Sequence, residues 1–347
     1  MASDITVARW TKTSAVSTAA GAVLLLALVF LPFVAGTATL DKVTTLFIYI
    51  MLAATWNALA GYGGLVSIGQ QAFFGLGAYV TIRLSNYGFN VYLAILAAPI
   101  VVGIAALPIS APMLRLKAGE FAIGMWVLAE LLHLLVNLDP LIQGETGTSL
   151  IALNAYDVGT RNAFTFWVAL GAVAAVLIFL FTLLRSATGS ALQSIRDNEE
   201  AAESVGVRVV TTKRIIFVFA AAGAAIAGSL WLATAISFQP KTYFSVQWTS
   251  YMIFMVLVGG LGTFEGAILG AVIFFLIEST FGSAGVWYLI GLGAVALSLS
   301  LFLPRGLYGS FSDRTGLQLL PVGYRLVFRV HSAKPSSKPV PWKESSK

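Results

Sequence analysis

Ten long apolar stretches decide the class of this chain before any motif is read. They lie near residues 15–35, 43–60, 66–83, 91–112, 119–137, 163–184, 215–236, 248–262, 265–281 and 285–303. Each is close to the ~20 residues that a helix needs to cross a bilayer. The chain is 58% hydrophobic and 10% charged, whereas a soluble domain carries about 25% charged residues. Lipid is therefore its main solvent, and backbone groups in lipid must satisfy one another, which favours helices as the spanning elements. The expected fold is an all-α membrane protein, a polytopic helical bundle of about ten spans. The eighth and ninth stretches are short and glycine-rich, so one broken or re-entrant glycine-rich helix is expected. The 347 residues include no cysteine, which removes disulfides, thiolate metal sites and cysteine nucleophiles. His133 and His331 lie too far apart in sequence to form a histidine metal motif, so no metal is expected.

Charge placement orients the bundle. With the N-terminus inside and ten crossings, the inside segments hold Arg9, Lys12, Arg115, Lys117, Arg185, Arg196, Arg208, Lys213, Arg214 and eight tail residues from Arg305 to Lys347. The outside holds Lys42, Arg83, Arg161 and Lys241. This asymmetry places both termini in the cytoplasm. It also divides the chain into a transmembrane domain, residues 1–303, with a cytoplasmic loop at 185–214, and a basic tail, residues 304–347. The tail alone accounts for the net charge of +6, which reads as attraction to anionic membrane lipid rather than to nucleic acid. Arg9 and Lys12 before Val23–Leu31 resemble a cleavable signal. A retained first helix is expected, because multi-span chains seldom need cleavage.

One hydrophilic island, Gly189–Gly206, interrupts the apolar pattern. Asp197 followed by Glu200 suggests an N-cap with its capping-box partner. Glu199, Glu200 and Glu203 fall early in a short helix, where the macrodipole favours acids. Gly206 suits its left-handed end, and Ala191, Leu192 and Ile195 give the preceding helix an apolar edge. A capped helix pair between spans is suited to a groove on a soluble partner, though it also serves as a solvated connector.

Glycine and polar groups inside the stretches mark other candidates. Residues 61–79 are too rich in glycine for an ordinary lipid-facing helix, and Gly69, Gln70 and Gln71 there would line a path or bridge a helix break. Gly262, Gly266 and Gly270 follow a four-residue ladder suited to helix packing, as do Ala220, Ala224 and Gly228. Asn57, Glu130, His133, Asn137, Glu265 and Glu278 are polar groups in or near the spans, which tend to face an interior or a cavity. Glu130, His133 and Asn137 share one helix face. They would relay protons or hold helices together. The segment from Asp139 to Arg161 is the longest external one, either a contact surface or a connector. The sequence contains no Gly-x-x-x-x-Gly-Lys-[Ser/Thr], so any ATP would be used by another chain. No hydrolase constellation can be assembled from these residues, and an enzyme is not expected.

Several segments together resemble a known family, the LivM-type permeases of branched-chain amino acid ABC importers. They are Trp56–Tyr79 (WNALAGYGGLVSIGQQAFFGLGAY), Leu116–Gly124 (LKAGEFAIG), Gly144–Leu150 (GETGTSL), the island Gly189–Gly206 and Val258–Ala271 (VGGLGTFEGAILGA). They span roughly residues 45–305 in the family's order. Gln70 stands where many relatives carry His. The resemblance implies a permease of ABC importer type in a bacterial inner membrane, working with a second homologous permease subunit, two ATPase subunits and a periplasmic substrate-binding protein. No cofactor would be bound by this chain, with ATP and Mg on the ATPase. Arg196, Asp197, Glu199, Glu200 and Gly206 would couple to that ATPase. Asn57, Gly69, Gln70, Gln71, Glu130 and His133 would form the translocation path or a helix break. The alternative is a proton-coupled secondary transporter using Glu130 and His133.

Overall fold

Runs of Ala, Leu, Val and Phe offer the backbone no side-chain partners, so the chain satisfies its own peptide groups in helices. The computed structural model describes residues 4–8, 12–315, 319–320 and 325–329. In chain order its helices are α1 (Lys12–Val29), α2 (Thr37–Asn57), α3 (Gln71–Asn86), α4 (Val91–Met113), α5 (Ala118–Asn137), α6 (Val158–Leu184), α7 (Ala187–Asp197), α8 (Glu199–Ser204), α9 (Val209–Ala235), α10 (Pro240–Tyr243), α11 (Val246–Gly259), α12 (Phe264–Phe281), α13 (Val286–Phe302) and α14 (Gly306–Thr315).

The ten apolar stretches resolve into long helices and two short ones. Among the described residues, eight helical segments are long and apolar enough to cross a membrane. The third and eighth stretches form α3, with 16 residues, and α11, with 14 residues, both below the usual spanning length. The expected broken helix lies between the second and third stretches, in the glycine-rich segment 61–79 that suggested a break, and the eighth stretch forms a short helix while the ninth forms the 18-residue α12.

The core is built on α2 and α9. Both are buried along most of their length, and they pack against each other, α2 also against α6 and α12 and α9 against α3 and α4. Close approach explains the small residues. A Cβ on Gly77 of α3 would lie 2.0 Å from the Ala225 carbonyl oxygen of α9, and one on Gly228 of α9 would lie 1.9 Å from that of Phe74. On the other side of α2, a Cβ on Gly270 of α12 would lie 1.7 Å from the Met255 carbonyl oxygen of α11. Gly266 meets the Gly259 and Gly260 carbonyls there. Gly262 does not belong to this helix face, because it precedes α12 in a turn with φ +74°. The four-residue spacing suggested a ladder of three, but the helix begins only at Phe264.

Two short antiparallel pairs complete the frame. β2 (Thr148–Ser149) pairs with β3 (Ser237–Phe238) at one end of the bundle. At the other end β1 (Asp4–Ala8) pairs with β4 (Arg325–Arg329). α14 packs beside α11 and α12 there, and Glu265 accepts the Leu320 N–H at 2.5 Å. Of the basic tail, residues 316–318, 321–324 and 330–347 lie outside the described residues, as does His331.

Candidate functional site

The second helix does not end cleanly. After Asn57 it widens into a π-turn, Ala58–Tyr62, a rare form that is frequent at functional sites. Residues 63–70 then run without helix until α3 begins. Gly63 and Leu65 donate back to the Ala58 and Leu59 carbonyls at 3.2 and 3.0 Å. Trp56 Nε1 donates to the Ser67 carbonyl at 2.9 Å. Gly69 touches α5 so closely that a Cβ would fall 1.9 Å from the Met125 carbonyl oxygen. The Gln70 side chain is fully buried, and neither of its amide atoms has a protein partner. Gln71 accepts from the Thr249 hydroxyl.

Two side chains tie this break to distant segments. Asn57 donates through Nδ2 to the Thr263 carbonyl at 2.9 Å and accepts the Gly262 N–H at 2.8 Å through Oδ1. Arg196, at the end of α7, donates from Nη1 to the Gly61 carbonyl inside the π-turn at 2.9 Å. Its Nε and Nη2 hold Asp197 Oδ1 at 3.0 and 2.9 Å. The turn before α12, the π-turn and the end of α7 thus meet at one point.

The island is a helix pair, α7 and α8. Leu192 and Ile195 are buried beneath it. The N-cap of α8 is Asn198, whose side chain accepts the Ala201 N–H at 3.0 Å. The expected cap, Asp197, is instead the last residue of α7. The apolar edge of α7 carries that helix one residue further and passes the capping role to the next residue. Gly206 closes α8 with φ +90°. The Gly206 N–H bonds the Glu203 carbonyl and the Val207 N–H bonds that of Ala202, the paired bonds of a Schellman motif. Glu199 turns back to Lys213 of α9 at 2.6 Å. Glu200 and Glu203 remain exposed, and Val205 is 81% exposed. Beside them a cleft of about 280 Å³ is lined by Ala187, Ala191, Val207, Arg208 and Ile215.

At the opposite end, α5 brings its polar residues together. His133 Nδ1 lies 3.3 Å from Glu130, and Nε2 lies 2.9 Å from Glu145. Asn137 donates to Glu145 at 2.5 Å, and Glu145 also accepts the Lys241 N–H at 3.0 Å. Burial pushes the Glu145 carboxyl up, but Asn137, His133 and the Lys241 N–H together hold it below the usual range. The Glu130 side chain is 61% exposed. Nearby, Asp139 accepts from Tyr79 and pairs with Arg83, each at 2.6 Å.

The sequence pattern missed Asn198, Thr263 and the Tyr79–Arg83–Asp139 group. Only Asn198 carried a usable signal, being itself a strong capping residue.

The chain is similar in sequence to known proteins. The family model described as the permease component of a branched-chain amino acid transport system matches residues 38–304. The LivM permease proteins of the high-affinity branched-chain amino acid transport systems of Escherichia coli and Salmonella typhimurium are each 26% identical over 303 residues, covering 80% of this chain and 71% of theirs. A Methanocaldococcus jannaschii protein assigned as a LivM permease is 24% identical over 268 residues, covering 67% of this chain and 77% of its own.

Proposed function

The chain belongs to the branched-chain amino acid transport permease family, and from that premise we propose how its parts divide the work. It is a membrane permease of ABC transporter type. As a transport subunit it moves a solute and performs no chemistry on it. In this reading the α7–α8 end lies in the cytoplasm of a bacterial inner membrane, with both termini on that side. The partners are a second, homologous permease subunit, two ATPase subunits carrying ATP and Mg, and a periplasmic binding protein. The solute is a branched-chain or related amino acid.

The observation that carries the mechanism is the hydrogen bond from Arg196 to the Gly61 carbonyl. It joins the exposed helix pair to the interrupted segment between α2 and α3. Force applied to α7 and α8 by an ATPase would reach the π-turn through Arg196, and from there the turn before α12 through Asn57. Glu200, Glu203 and Val205 form the face an ATPase would press. Glu199 serves the pair from within, through Lys213.

The exposed face of α5 supports the position of the path. A carboxylate facing hydrocarbon is costly, so the Glu130 face borders water or the second permease instead. Gln70, with its unpaired buried amide, sits where α3 begins, and the positive end of that helix would favour a passing carboxylate. The proton-coupled reading is not favoured. Its Glu130–His133 chain ends on Glu145 and the Lys241 N–H at one end of the bundle and does not cross it.

Purification of the tagged chain in mild detergent should recover a P-loop ATPase and a second permease. Glu200→Lys with Glu203→Lys should abolish ATP-driven uptake while membrane insertion stays normal. Full uptake by that double variant would refute the coupling role.

A further inference from the structure

A carboxylate and three tyrosines meet between the middle of α2, the first half of α11, the end of α12 and the start of α13. Phe274 of α12 anchors the group, with its ring 5.0 Å from that of Tyr49 and 4.7 Å from that of Tyr251. Glu278 follows one turn later on the same face, and its carboxylate faces the Tyr49 hydroxyl. Among the described residues no Lys or Arg pairs with Glu278. Tyr288, at the start of α13, is 7% exposed and its hydroxyl has no hydrogen-bond partner. A negative group, aromatic rings and an unpaired oxygen are the components of an ammonium site.

The space beside the cluster has a direction. A groove of about 470 Å³ runs between α11 and α13. Its far end carries Gln247, Ser250 and Tyr251, and its deeper wall carries Phe254, Leu292 and Ala296. Gln247 donates to the Tyr251 hydroxyl at the mouth. From Val246 to Phe254 the helix descends about 12 Å at its usual rise. A polar mouth above an apolar slot suits an amphiphile. Glu278 lies within one turn of the end of α12.

We propose that this cluster holds the primary ammonium of an aminophospholipid, with one acyl chain in the α11–α13 groove. A primary ammonium brings three N–H donors, enough for Glu278 and the Tyr288 hydroxyl. A quaternary ammonium brings none, and an anionic headgroup would meet Glu278 as a like charge. A free amino acid would place a carboxylate where the described residues provide no cation. An apolar helix from another subunit would leave the Tyr288 oxygen unpaired.

The test is native mass spectrometry of the purified transporter complex, delipidated and then offered phosphatidylethanolamine, phosphatidylcholine and phosphatidylglycerol with identical acyl chains. Phosphatidylethanolamine should be retained over phosphatidylcholine by about tenfold, the scale of a hydrogen bond to a charged group. Glu278→Gln should erase that preference, and Tyr288→Phe should reduce it. Equal retention of the three lipids overturns the proposal, as does a preference that survives Glu278→Gln. Release of the bound phosphatidylethanolamine by millimolar leucine also overturns it, because the site would then take a free amino acid. If Glu278→Gln does not yield an intact complex, Tyr288→Phe decides, and an unchanged preference in that variant refutes the site.

Discussion

Single side chains bear unusual weight here because the core is interrupted. Asn57 satisfies the Gly262 N–H and the Thr263 carbonyl together, two groups in a turn with few other partners. Asn57→Ala strands both, at about 1–3 kcal/mol for each buried group left unpaired. Thermal unfolding in detergent should show a clear fall in midpoint for Asn57→Ala. An unchanged midpoint in Asn57→Ala would remove Asn57 from this role. Asp139 gives a pH-dependent contribution at the other end. Burial raises its carboxyl, but Tyr79, the Leu141 N–H and Arg83 outweigh that and hold it below the ordinary 3.8. A carboxyl lowered in the folded state adds stability that is complete above the unfolded value and lost as pH falls through the folded one. Stability measured against pH should therefore show an extra loss below 3.8 in the unaltered protein. Asp139→Asn should lack that loss, and identical profiles would refute the assignment.

Helix pairs are set by backbone approach more than by side-chain fit. A methyl group at Gly228 or Gly270 would need to pass within 1.9 or 1.7 Å of a carbonyl oxygen of the facing helix. Neither α9 nor α12 can admit it without sliding, and overpacking of this kind costs about 1–3 kcal/mol or more. Gly228→Ala and Gly270→Ala should each lower the unfolding midpoint, whereas Gly293→Ala, with nothing within 4 Å, should leave it in place. Equal effects at all three positions would refute the close-approach account. The same elements show what a single sequence carries. Glycine density at residues 61–79 pointed to a break, which falls in its first part, before α3 begins at Gln71. Its partners, Arg196 and Thr263, were hidden, since spacing along one chain holds no record of contacts made across it. The four-residue spacing from Gly262 was legible as packing only for Gly266 and Gly270, because a turn and a helix start are written with the same letters. Asp197 and Asn198 are both capping residues. The choice between them was made by burial of Leu192 and Ile195, a tertiary fact.

For the molecule as a whole, the decisive question is which way the wiring points across the membrane. Composition and ten apolar stretches were enough to give a helical membrane bundle. The charge count assigned an inside, but it could not say that α7, α8, α14 and the β1–β4 pair gather at one end. That gathering makes orientation a single variable: if α8 faces the cytoplasm, so do β1 and β4. The chain has no cysteine, so each introduced thiol reports alone. Val205→Cys, at the exposed end of α8, should react with a membrane-impermeant maleimide in inside-out vesicles and stay unlabelled in intact spheroplasts. Thr146→Cys, exposed in the turn beside Glu145, should show the reverse. Addition of the partner ATPase to the inside-out vesicles should protect Val205→Cys and leave Thr146→Cys unchanged. Labelling of Val205→Cys from outside would invert the bundle and place the helix pair beyond reach of any ATPase. Inside labelling without protection would keep the orientation and reject α8 as the docking surface. The two parts of the reading thus fail separately, because orientation depends on where the positive residues lie and docking depends on what the exposed face of α8 meets.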